Sequence, residues 1–213
     1  RIESNTIGQS PQLPAGYYED FLTCTGGGLE YSGTIDYDVL ANIPAVRRVI
    51  FSGSANRELP NNNFLICEDF ILRDNVSVEN VSNRQITIQG NIIKGDNGTI
   101  DFGTGTTILN GTVDLQQIAG DFTGSEAFYN LTIDNSDGVS IINSSADATN
   151  GISSDVNGDV AIANQLTLTD GLVDTDDDNS LSILLNGTVN DGNNNAYVNG
   201  PLIRQINNAS GVY

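Results

Sequence analysis

Gln85-Ile86-Thr87-Ile88-Gln89, Asn130-Leu131-Thr132-Ile133-Asp134 and Gln165-Leu166-Thr167-Leu168-Thr169 decide how this chain is to be read. Each alternates apolar with polar or small residues, the period of a strand with one buried face. Arg48–Ser52, Asn63–Cys67, Thr99–Phe102 and Leu181–Leu184 follow the same rule. Asn, Asp and Gly fill the intervals, and these residues tolerate the left-handed backbone of tight corners. Windows with apolar residues three and four apart are nearly absent. Residues 38 to 43 form the one stretch that predicts a turn of helix.

The segments also resemble one another. The pattern polar, Leu/Ile, Thr/Ser, Leu/Ile recurs at 85–88, 130–133, 165–168 and 180–183, and Asn-Gly-Thr before a β-branched residue recurs at 97–100, 110–113 and 186–189. Unequal spacing makes this a degenerate repeat. Short strands with Asn/Gly corners predict an all-β chain built as a parallel β-helix, a β-solenoid of ~20 to 25 residues per coil, so that residues 45–205 make a rod of about 35 Å. A β-sandwich is the alternative, because Asn-Gly and Asp-Gly pairs also serve hairpins. Residues 1–44 differ in character: they carry Pro11, Pro14, Pro44, the run Gly26–Gly28 and the aromatics Tyr17, Tyr18, Phe21, Tyr31 and Tyr37. They are expected to cap the open end of a solenoid that occupies 45–213, since an uncovered terminal coil aggregates. Both ends read as mid-chain, an excised segment of a longer protein.

Charge narrows the partners. Eight Lys and Arg face 27 Asp and Glu, a net charge of -19. Phosphate backbones are repelled, which argues against nucleic acid. No apolar run approaches the ~20 residues of a membrane helix, so insertion in that form is not expected. Cys24 and Cys67 are the two cysteines, either buried thiols or a disulfide. The extracytoplasmic look of the rest favours the disulfide.

Few groups promise chemistry. Asp174, Asp176 and Asp178 put carboxylates at alternate positions, as a calcium loop begins, so Ca²⁺ is the one cofactor the sequence suggests. An EF-hand fails, because its twelfth position is Leu185 where a bidentate Glu is needed. Asp155, Asn157 and Asp159 fail likewise, and either loop also reads as a solvated acidic turn. Without histidine no Ser-His-Asp or Cys-His arrangement exists, and Lys94 is the single lysine available as a base. A hydrolase working with carboxylates alone, or a carbohydrate-binding module using Phe128 and Tyr129, are the alternatives to a chain without catalysis. The eight Asn-X-Ser/Thr sequons, from Asn75 to Asn208, are what a chain rich in these residues holds by chance.

Several longer blocks resemble one family. Residues 23–34 and 37–42, Gly120–Gly124 leading to Phe128–Ile133, Leu166–Thr175 and Tyr197-Val198-Asn199-Gly200-Pro201-Leu202 look like segments of very large repetitive surface proteins of Bacteroidetes. These include adhesins of the SprB type, linked to gliding motility and exported by type IX secretion. The resemblance implies a non-enzymatic structural and adhesive module on the extracellular face, attached to the outer membrane through other parts of the chain. Its implied partners are neighbouring repeats of the same chain and surface polysaccharide.

Overall fold

The structure is a computed structural model that describes residues 1–3, 13, 15–43, 45–112, 114–147 and 149–207. Pro11, Pro14, Pro44, Val113, the sequon at Asn208 and the end at 210–213 lie outside them. In chain order the strands are β1 Gly28–Tyr31, β2 Tyr37–Asp38, β3 Arg48–Phe51, β4 Asn56–Glu58, β5 Phe64–Ile66, β6 Phe70–Leu72, β7 Ser77–Glu79, β8 Ile86–Ile88, β9 Ile92–Lys94 and β10 Thr99–Asp101. They continue as β11 Thr106–Leu109, β12 Gln116–Ala119, β13 Phe128–Asp134, β14 Val139–Ile142, β15 Val160–Asp170, β16 Val173–Asp174, β17 Leu181–Ile183, β18 Thr188–Asp191, β19 Val198–Asn199 and β20 Leu202–Arg204.

These strands stack as a parallel β-solenoid. One sheet runs β1-β3-β6-β9-β12-β14-β16-β19, a second β2-β4-β7-β10, and a third β5-β8-β11-β13-β15-β17-β20 with β18 also on β15. We call them the first, second and third sheets. Eight rungs at the ~4.8 Å spacing of hydrogen-bonded strands make a stack of about 35 Å. Each coil places equivalent residues above one another. Leu29, Val49, Phe70, Ile92, Ile118 and Ile141 form one inward column of the first sheet, and all are buried. Alternation along a strand thus becomes a continuous apolar interior along the axis.

The segments 85–88, 130–133, 165–168 and 180–183 all fall in the third sheet, as their likeness suggests. The Asn-Gly-Thr segments are not equivalent: one leads into β10 of the second sheet and another into β18 of the third. The expected helix at 38–43 is absent. Val39 and Ile43 are buried in the core instead, and Asn42 takes a φ of 61°, which breaks a helical path. Among the described residues the one helical element is the short 3-10 turn Gly124–Glu126. The expected boundary at 44/45 falls inside the first coil, since β1 and β2 already pair with β3 and β4.

The stretch before β1 packs on the first coil. Ile2 bridges to Tyr31, and Leu22 packs on the core. Cys24 is disulfide-bonded to Cys67, with Cα atoms 5.2 Å apart, so the cap is tied to the residue following β5.

The second sheet stops at β10 for a visible reason. In the next coil the chain makes the 3-10 turn, and Glu126 turns its carboxylate to the free edge, accepting the Ile100 N–H at 3.1 Å. The same oxygen takes Lys94 Nζ at 2.7 Å. Phe102, Phe122 and Phe128 fill the interior beside this change of course, with Phe102 and Phe128 stacked at 4.3 Å.

Candidate functional site

The acidic and amide corners carry most of the chain's polar chemistry, and the structure gives them a specific task. Many act on the coil above or below, and others close their own turn. Asp74 Oδ2 accepts the Gly53 N–H, and Asp96 Oδ2 accepts the Asp74 N–H, 21 and 22 residues away in sequence. Asp36 takes the Asn56 N–H, Asn63 that of Gln85, Asp69 that of Asn91, Asn83 that of Thr104 and Asn91 that of Gln117. Asp159 takes both N–H and hydroxyl of Ser180. A corner amide cannot join a sheet ladder, so a side-chain oxygen from the adjacent coil satisfies it. Asn and Asp suit this role because the short side chain lies level with the backbone of the neighbouring turn.

Of the three residues expected to bind calcium, Asp174 and Asp176 have carboxylates engaged by amides. Asp174 lies in β16 and accepts Asn199 Nδ2 at 2.8 Å. Asp176 Oδ1 accepts the N–H groups of Asp178 and Asn179 and the Asn179 side-chain amide, which closes its own turn and holds its carboxyl below the ordinary value. Among the described residues no three Asp, Glu, Cys or His side chains converge as a metal site would require. Asp155 and Asp159 also part company: the first bonds the Ala146 N–H, the second Ser180. Lys94 is 5% exposed and ion-paired with Glu126, its ammonium 5.4 Å from the Phe122 ring centroid. Phe128 is buried rather than offered as a sugar platform, and the exposed aromatics among the described residues are Tyr17 and Phe21 before β1 and Tyr197 before β19.

Three polar features escaped the sequence reading. Arg57 is fully buried on the inward face of β4, stacked 4.1 Å over the Tyr37 ring and bonded to the carbonyls of Gly33, Ile35, Ser52 and Asn56. Its position in the alternation was the only signal. Gln116 and Asn135, also buried, bond one another and the carbonyls of Ile88, Gly90 and Asp114. Residues 143–147 and 149–157 form the two sides of an antiparallel hairpin between β14 and β15. Its Ser153 and Ser154 wall an open polar groove of about 390 Å³ with Asp74, Asn75, Asp96 and Asn97.

Electrostatics divide the rod. Seven of the eight cations precede Gly95, whereas sixteen of the 27 acidic residues follow it. The ion pairs Arg47–Glu68, Arg48–Asp69, Arg73–Glu30 and Lys94–Glu126 therefore belong to the N-terminal coils, and the later coils carry the acidic surplus. Burial pushes Glu30 up, but hydrogen bonds from Ser52 and Arg73 and the nearby Arg charges outweigh it and leave the carboxyl below its usual 4.5. A folded pKa below the unfolded one stabilises fully above about 4.5, and that contribution is lost as pH falls through the folded value. Acid also relieves the general repulsion, so the two effects need separating. Unfolding free energy measured from pH 7 to 3 is expected to fall more for the native chain than for Glu30→Gln. Equal losses would mean that Glu30 is not held ionised.

No protein-family model matches the chain, and neither a curated protein nor a solved structure matches it. The fold and the corner geometry are thus the observations from which function must be argued.

Proposed function

We propose that the chain is a non-enzymatic structural and adhesive module of a large cell-surface protein, a stiff spacer joined to neighbouring repeats. The observation that carries this reading is the use of the corner carboxylates as clamps between coils. Side chains spent on holding adjacent rungs together serve stiffness, and the polar groove beside Asp74 and Asp96 has no Lys or Arg among its lining residues. Three parallel sheets support the same reading. Their hydrogen bonds lie along the rod axis, so an end-to-end pull loads many in parallel at each rung. The resemblance to Bacteroidetes surface adhesins supplies the extracellular setting and attachment to the outer membrane through other parts of the protein. The acidic surface keeps such a rod soluble and away from other polyanions.

Single-molecule pulling between residues 1 and 207 tests the mechanical half of the proposal. Extension is expected in discrete steps of one or a few coils, each preceded by a force peak. Featureless lengthening at low force would overturn the spacer reading. Release of reducing ends from polysaccharide by the purified chain would overturn the non-enzymatic one.

A further inference from the structure

The outward column of the first sheet is apolar where solvent would favour polar residues. Register aligns Ile50, Ile71, Ile93, Ala119 and Ile142 on successive strands, following Glu30. Ile71 is fully buried although it stands outside the interior cluster, and Ala119 is 4% exposed. The hairpin at 143–157 lies along this face. It is a two-rung ladder, with paired backbone bonds between Ser144 and Val156 and between Asp147 and Ile152. Near its tip, the Asn150 carbonyl accepts Arg73 Nη1 at 2.7 Å and its side-chain oxygen accepts Arg48 Nη2. Asp96 Oδ1 takes the Ser153 N–H at 3.0 Å and the hydroxyls of Ser153 and Ser154 at 2.6 and 2.9 Å. One large apolar side chain anchors it: Ile152, 4% exposed, sits against Gly95 beside Ile93, Ala119 and Ile142.

We propose that this hairpin is a strap that opens as a unit, separately from the coils, and bares apolar residues on the outer face of the first sheet. Its attachment is unlike that of a coil. No strand of the sheets pairs with it among the described residues, and its hold on the early coils consists of five hydrogen bonds to the side chains of Arg48, Arg73 and Asp96 and one isoleucine. Segments with few apolar contacts and solvent-facing hydrogen bonds open at lower free energy than the sheets beneath them.

Gly95 allows a clean test. A methyl group added there would stand 2.3 Å from Ile152 Cγ2, and the nearest atoms all belong to Ile152, so Gly95→Ala acts on the strap alone. Gly95→Ala and Ile152→Ser are each expected to raise cleavage between residues 145 and 151 by a broad-specificity protease about ten-fold or more, because cleavage follows the open population. Binding of a dye that fluoresces on apolar surfaces should appear with it, while the far-ultraviolet spectrum and the melting of the sheets stay as in the native chain. Adding Ile93→Ser to Gly95→Ala should then reduce the dye signal. Unchanged cleavage in both variants would overturn the proposal, as would cleavage that rises only together with loss of the sheet signal.

Discussion

Phe128→Ala is expected to cost about 3 to 5 kcal/mol of unfolding free energy, the range for removing a fully buried aromatic ring. Phe128 has no exposed surface and packs between Phe102 and Phe122, where the second sheet ends and no strand fills the gap. Its neighbour Tyr129 points the other way and is half-buried, so Tyr129→Ala should cost under about 1 kcal/mol. Denaturant titration of both variants measures the difference. Equal costs would mean that the ring cluster does not support the change of course, and stable Phe128→Ala protein would leave the interior of the fifth coil unexplained.

The second large effect concerns the cap. Cys24 and Cys67 are 43 residues apart in sequence, and closing a loop of that size restricts the unfolded chain by about 4 kcal/mol in the chain-entropy account. The double substitution Cys24→Ser with Cys67→Ser should lose an amount of that order, and reductant should lower the denaturation midpoint of the native chain but not of the variant. Thiol titration of denatured, unreduced protein should find none free; two free thiols would contradict the pairing. The cap matters because Leu40 and Ile43 end the first coil beneath it, and a solenoid end left open exposes both apolar side chains and strand edges.

Much of the fold was legible because one sheet keeps its period. Residues 85–88, 130–133 and 165–168 stack on one another, so their likeness in sequence is likeness in position. The strands of the other two sheets were harder to see. Ser77–Glu79 and Phe70–Leu72 were not recognised; Phe70–Leu72 is buried at all three positions, so it shows no alternation of apolar with polar residues. Residues 38–43 looked helical from local spacing, but burial of Val39 and Ile43 within the coil overrides a weak propensity. The Asn-Gly-Thr motif marked turns without marking equivalent turns.

The candidate site was legible only as a set of corners. Asp174, Asp176 and Asp178 were visible as an acidic run, yet their partners, Asn199 and the turn's own amides, follow from the path of the coil. The clamp from Asp159 to Ser180 spans 21 residues, and that from Asn91 to Gln117 spans 26. A variable coil length hides such pairs from any fixed spacing. Arg57 was not singled out, because nothing local distinguishes a cation whose bonds go to main-chain carbonyls, three of them in residues brought close by the path of the coil.

The central claim is that corner carboxylates and amides bind coil to coil rather than face solvent or a ligand. Amide hydrogen exchange resolved by residue tests it most directly, at Gly53, Asp74, Asn91, Gln117 and Ser180, whose N–H groups are donated to side chains of adjacent coils. The account predicts that all five exchange about a hundred-fold or more slowly than an exposed peptide, and that Asp159→Ala removes protection at Ser180 while leaving Gly53 and Asn91 slow. Exchange at the unprotected rate in the native chain, or Ser180 still slow without the Asp159 carboxylate, would contradict it.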